Sequence, residues 1–168
     1  MPPETVIIGM GNQILSEDSV GVRLARDVDR ALLDRPDVVV VPECSVGGLN
    51  LLDYLVSYRT AVVLDAVRTR GGVPGTCYRF TAEALQPTAH LCNVHDANFA
   101  TALALGRILG MDLPADRDIH VFAVEIVDDT TFGTELTPEV SRRYPSCLRR
   151  VLRGLKTLLG PVPLPMET

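Results

Sequence analysis

Short apolar runs alternate with amphipathic stretches along this chain. Thr5 to Gly9 is β-branched and closes on a glycine, and Val38 to Val41 and Ala61 to Leu64 share its character. Runs of this length, apolar throughout, predict strands covered on both faces, as in parallel sheets. Between them Val20, Leu24, Val28, Ala31 and Leu32 recur at helical spacing, and Leu49, Leu52, Tyr54, Leu55 and Val56 predict a second, shorter helix. A Gly/Pro-rich loop around Gly71, Gly72, Pro74 and Gly75 precedes an extended piece, Thr76 to Phe80, bounded as an edge strand would be. Asn98 to Leu109 is apolar nearly all round and predicts a buried helix, and Ile119 to Val124 predicts another strand. The final helix opens with Thr137-Pro138-Glu139 and closes with Gly160, a capping residue before the first-turn proline and a glycine after the last turn. Pro145 should kink that helix or split it. The sum is an α/β fold, a three-layer α/β/α sandwich on a mostly parallel twisted sheet of about five strands. Residues 1–160 form one domain, and 161–168 read as a C-terminal tail.

Composition narrows the partners. The 168 residues are 46% hydrophobic and 22% charged, with a formal net charge of -5. A chain this long buries roughly two thirds of its unfolded surface, so its folding needs neither disulfides nor a structural metal. The acidic balance, without an evident Lys/Arg cluster, argues against nucleic acid. Cys44, Cys77, Cys92 and Cys147 lie far apart with no C-x-x-C pair, as expected of reduced, buried thiols. The N-terminus lacks the basic start and long apolar centre of a signal peptide. No apolar run approaches the roughly 20 residues of a membrane-spanning helix. A cytoplasmic location and no membrane contact are expected.

Candidate chemistry concentrates in three places. Gly9-Met10-Gly11-Asn12-Gln13-Ile14 superficially resembles a dinucleotide loop, but Ile14 stands where close helix packing requires a third small residue. A nucleotide-binding oxidoreductase is therefore a weak alternative. Glu17 and Asp18 then place two carboxylates at the start of the first helix, where acidic residues also serve as plain caps. Asp65 ends the apolar run of a central strand at its carboxyl edge, where doubly wound sheets bind ligands. His95 lies in the loop before the buried helix, and a neutral imidazole is a common first-row metal ligand. Two carboxylates and an imidazole converging on one strand edge would form an open O/O/N metal site suited to nickel, zinc or manganese ions. Cys44 and Cys92 become nucleophiles only beside a histidine. His90 and His120 have no motif around them.

The segment Ile8 to Arg23, the stretch Val63-Leu64-Asp65-Ala66-Val67, and His95 before a long helix resemble, in order and spacing, the hydrogenase maturation endopeptidases. The similarity extends from about residue 5 to about residue 158. It implies an α/β/α fold and a protease that removes the C-terminal extension of a nickel-iron hydrogenase large subunit after nickel insertion. It also implies that Asp18, Asp65 and His95 contact the metal, with Gly11, Asn12 and Glu17 in support. The nickel would be delivered by the substrate, with no tightly bound cofactor of the protein's own. The resemblance assigns no catalytic nucleophile. Loops at Glu43, Gly47 and Gly48, and from Glu125 to Thr134, would shape the groove for the precursor. A relative that binds the metal-loaded partner without cutting it is the alternative. The sequence departs from the family's usual Asp-Asp or Asp-Glu pair, having Glu17-Asp18 followed by Ser19.

Overall fold

A computed structural model describes residues 3–33, 35–85 and 94–161, with the side chains of residues 94–98 excluded. Five strands form one sheet in the order β2-β1-β3-β5-β4. They are β1 (Thr5–Met10), β2 (Val38–Cys44), β3 (Thr60–Val67), β4 (Cys77–Thr81) and β5 (Ile119–Glu125). β2, β1, β3 and β5 run parallel, and β4 is antiparallel to β5. The helices are α1 (Val20–Ala31), α2 (Leu49–Leu52), α3 (Val94–Ile108) and α4 (Pro138–Leu159).

Strand alternation divides the core into two layers. Ile7, Val62, Leu64, Phe122 and Val124 face α1 and α4, meeting Leu24, Val28, Val151, Leu152 and Leu155. Val6, Ile8, Val63, Val67, Val121 and Ala123 face α2 and α3, meeting Leu51, Leu52, Phe99 and Leu103. The predicted three-layer sandwich is what forms. Helix α1 sits hard on the strands because two glycines let it. A Cβ on Gly21 would lie 2.3 Å from the Leu64 carbonyl oxygen and 2.4 Å from that of Met10, and one on Gly9 would lie 2.6 Å from Ala25 Cβ.

Four local expectations change. β3 continues to Val67, so Asp65 lies inside a strand rather than at its end. α2 stops at Leu52; the chain turns instead of adding helix, with Leu55 still buried and Ser57 at φ +70°. α3 begins at Val94, four residues before the predicted start, which moves His95 from a loop into the first helical turn. α4 is not split, because Pro145 sits on its exposed face, and a proline there deprives only the Ser141 carbonyl, itself exposed, of its helical donor. Of the predicted tail only Pro161 is described, its carbonyl accepting a bond from Arg35 at 3.2 Å.

Candidate functional site

The site is created by strands of unequal length. The last β1 to β3 pair is Gly9 with Leu64, whereas β3 goes on pairing with β5 through Asp65, Ala66 and Val67. Asp65 is thus the first β3 residue with no β1 neighbour, and a notch opens at the carboxyl edge of the sheet. The connection from β1 leads to α1 on one face, and α2 and α3 cover the other, so the notch lies where the winding reverses. Open α/β sheets bind ligands at such points.

The loop of residues 11–19 brings Asp18 to this notch. Asp18 and Asp65 line the same recess of about 100 Å³, together with Gly11, Asn12, Cys44 and Gly47. Gly11, at φ +129°, has room for no side chain: a Cβ would lie 2.0 Å from the Asp18 carbonyl oxygen. The Asn12 amide donates to Asp18 Oδ2 at 2.8 Å, so Gly11 and Asn12 position the carboxylate rather than cradle a phosphate. That loop amide is already engaged, and nine residues separate β1 from α1, which argues against the dinucleotide reading. Asp65 Oδ1 accepts from the Ala66 amide at 2.8 Å. Burial, reinforced by the Asp65 charge, raises the Cys44 pKa despite the thiol's contact with the Val46 carbonyl at 3.6 Å. A thiol held protonated is a poor nucleophile.

Glu17, next to Asp18, does something different. It is fully buried and accepts from the amides of Val127 (2.6 Å) and Asp128 (2.8 Å) and from the Thr137 hydroxyl. It thereby joins the 11–19 loop to the loop that follows β5. The join continues outward: Leu15 bridges Phe132, Ser16 donates to the Thr131 carbonyl at 2.9 Å, and Gly133 donates to that of Ile14 at 3.1 Å. Glu125, 1% exposed, is a second buried brace, accepting from the Thr69 amide (2.6 Å) and hydroxyl (2.8 Å). Sequence reasoning missed its role, although an acid closing the apolar run 121–124 was the available signal.

The other predicted positions divide. Gly47 lines the recess and, with Gly48, an adjoining apolar slot formed by Leu51, Leu85, Phe99 and Asp65. Glu43 is exposed and pairs with Arg26 at 3.4 Å, away from the recess lining. The His95 side chain, Cys92 and His90 lie outside the described residues. Position 95 precedes Phe99 by one turn of α3, and Phe99 lines the slot beside Asp65. Among the described residues no three His, Cys, Asp or Glu side chains form a metal-holding group; two of the three predicted ligands are described. His120 lies on β5, where burial and then Arg79 lower its pKa, with Asp118 opposing.

Comparison with known proteins points one way. The HycI family profile, described as hydrogenase maturation protease, matches residues 22–154, a span that includes Asp65 and His95 and begins just after Asp18. The chain is 27% identical to the hydrogenase expression/formation protein HupD of Thiocapsa roseopersicina, over 91% of this chain and 68% of that protein. It is 22% identical to the hydrogenase 2 maturation protease of Escherichia coli K12, over 90% of each. The solved structure of the hydrogenase maturating endopeptidase HybD from E. coli superposes with a TM-score of 0.69 at 18% identity, covering 92% of this chain and 93% of that one.

Proposed function

The chain belongs to the hydrogenase maturation protease family, and from that premise we propose that it removes the C-terminal extension of a nickel-iron hydrogenase large-subunit precursor once nickel has been inserted. Asp18, Asp65 and His95 contact the nickel that the precursor carries. The observation that carries this reading is that Asp18 and Asp65, from separate segments, line one recess at the notch between β1 and β3. Carboxylate oxygens and an imidazole are donors that first-row divalent ions accept, and three ligands leave positions for the client's own.

The metal in this reading is substrate, so the resting protein needs none of its own. Gripping it fixes the precursor's C-terminal segment beside the recess, and such positioning supplies several kcal/mol of barrier reduction, about the scale of well-oriented intramolecular reactions. The ion can add polarisation of the scissile carbonyl. An empty precursor offers the two carboxylates nothing to hold and is left uncut. The surroundings suit a protein client: Ile14 (55% exposed) and Phe132 (75% exposed) sit on the two joined loops at this rim. Among the described residues no helix is long and apolar enough to cross a membrane.

Incubation with nickel-loaded and nickel-free precursor, followed by mass measurement of the large subunit, tests this. Loss of the extension from the loaded form alone is expected. Equal cleavage of both forms removes the role of nickel, and binding without mass loss removes the cleavage.

A further inference from the structure

α4 and the edge strand β4 enclose a second feature, far larger than the recess and opposite to it in charge. Arg143, Cys147, Arg150, Gly154 and Thr157 follow one another at helical spacing down one side of α4, flanked by Arg149 and Arg153. With Arg79 of β4 they line an open groove of about 1020 Å³ whose lining includes no carboxylate. The five arginines stand out in a chain of net charge -5. Among the described residues, ion pairs engage Arg26, Arg30, Arg35, Arg59, Arg68, Arg107 and Arg117, but none of these five. No basic cluster was registered in the sequence, although Arg143, Arg149, Arg150 and Arg153 crowd one stretch of a single helix; the fold adds Arg79 from β4 to them.

Packing holds part of this charge in place. The Arg143 stem lies so close to Gly75 that a Cβ there would be 2.7 Å from Arg143 Cβ. Arg79 carries its guanidinium 5.4 Å from the centre of the Phe122 ring. Gly154, inside a helix where glycine is costly, leaves the space: its Cβ would lie 2.5 Å from Phe122 Cζ and 3.4 Å from an Arg79 nitrogen. Guanidinium groups held this way lose little freedom on pairing with carboxylates, which their planar fork matches.

The shape selects among anions. From Arg143 to Thr157 the helix rises about 21 Å, the length of about six extended residues. β4 ends the sheet, with β5 as its only strand neighbour among the described residues, so its outer edge can hydrogen-bond another strand. No aromatic side chain lines the α4 side of the groove for bases to stack on; Tyr78 and Phe80 stand on the other face of β4. Length, an open strand edge and unpaired positive charge together fit a polypeptide.

We propose that the groove between α4 and β4 binds an extended acidic segment of a partner polypeptide, added along the β4 edge with its carboxylates on Arg79, Arg143, Arg150 and Arg153. The binding is separate from cleavage and does not depend on the assignment of Asp18, Asp65 and His95. It belongs to the strand-addition mode of recognition, in which main-chain bonds supply affinity and side chains supply selectivity.

The test is fluorescence anisotropy of the full chain with a labelled ten-residue peptide of alternating glutamate and valine. Saturable binding is expected, weakened several-fold between 50 and 300 mM salt, as about a halving of the screening length demands. Arg143→Glu with Arg150→Glu should weaken it at least ten-fold; Arg143→Ala with Arg150→Ala, on the same exposed positions, should weaken it less. N-methylation of alternate peptide amides should weaken it about as much as the charge reversals. Equal binding by the N-methylated peptide, or by both arginine pairs of variants, overturns the proposal. So does capture of tripolyphosphate, single-stranded RNA or phosphatidylserine vesicles with the same arginine dependence while the peptide fails to bind.

Discussion

Glu17 and Asp18 are adjacent carboxylates with opposite surroundings. Glu17 is sealed from solvent and saturated by two amides and a hydroxyl. Asp18 is half-buried, accepts the Asn12 amide on Oδ2, and looks into a recess shared with Asp65. The same contrast recurs across the sheet, where Glu125 is enclosed by Thr69 and Asp65 stands at the notch. Buried charge persists only when its lone pairs are met, so the saturated acids act as braces. Asp18 and Asp65 instead line a common recess at the sheet's carboxyl edge, where one ligand could meet both.

Substitutions should separate the two classes. The largest effect is expected on the recess pair: Asp65→Asn or Asp18→Asn should lower precursor processing by about a thousand-fold or more, the scale of several kcal/mol of metal-based stabilisation. Their melting temperatures should stay within a few degrees of the parent. His95→Ala belongs with them, and parental processing by all three would dissolve the distinction. The braces should behave in reverse. Glu17→Ala removes the fully buried acceptor of the Val127 and Asp128 amides and leaves a void beneath them, and should cost about 3 kcal/mol in urea unfolding. Glu17→Gln keeps an acceptor and should retain partial activity; a fully stable Glu17→Ala would show that the brace carries no weight. Gly21→Ala tests the platform beneath both, since its methyl would meet two backbone oxygens, and about 2 kcal/mol of destabilisation is expected from such overpacking.

The smallest effect concerns pH. The hydroxyls of Thr131 and Thr130 and the Thr130 amide hold Asp128 well below the usual carboxylate range. A depressed pKa in the folded state means its contribution is complete above the unfolded value, about 3.9, and is lost as pH falls below that. NMR signals of the Thr130 and Thr131 amides should therefore stay in place from pH 7 to pH 5 and move only in stronger acid. Movement near pH 6 would reverse the sign of the argument.

Much of this was readable from the residues. The apolar runs at 5–9, 38–41 and 61–64 announced parallel strands because burial on both faces leaves them no polar positions. Asp65 drew notice as a charge closing such a run, and the pairing of Asp18 with it rested on the family resemblance. What escaped the sequence depends on distance in space. The end of β3 was misjudged because Ala66 and Val67 pair only with β5, a partner far along the chain. The start of α3 was misplaced because its first turn, Val94 to Ala97, shows no apolar period. Pro145 was expected to kink α4 or split it; α4 is not split, and the proline's position on the outer face makes the lost hydrogen bond tolerable. Glu17 looked like a cap, and only the fold shows it reaching the loop after β5.

The stitching of the 11–19 loop to the 126–137 loop has a consequence for selectivity. One wall of the recess, the 11–19 loop, is fastened to the distant loop after β5, so on the proposed reading the arrival of a client freezes few torsions there and the entropic penalty of binding falls mainly on the client. A wall that yields little also tolerates few bond lengths. Discrimination among ions of similar charge would then arise from fit against a nearly fixed spacing, and loosening the stitch should broaden the range of metals accepted before it abolishes recognition.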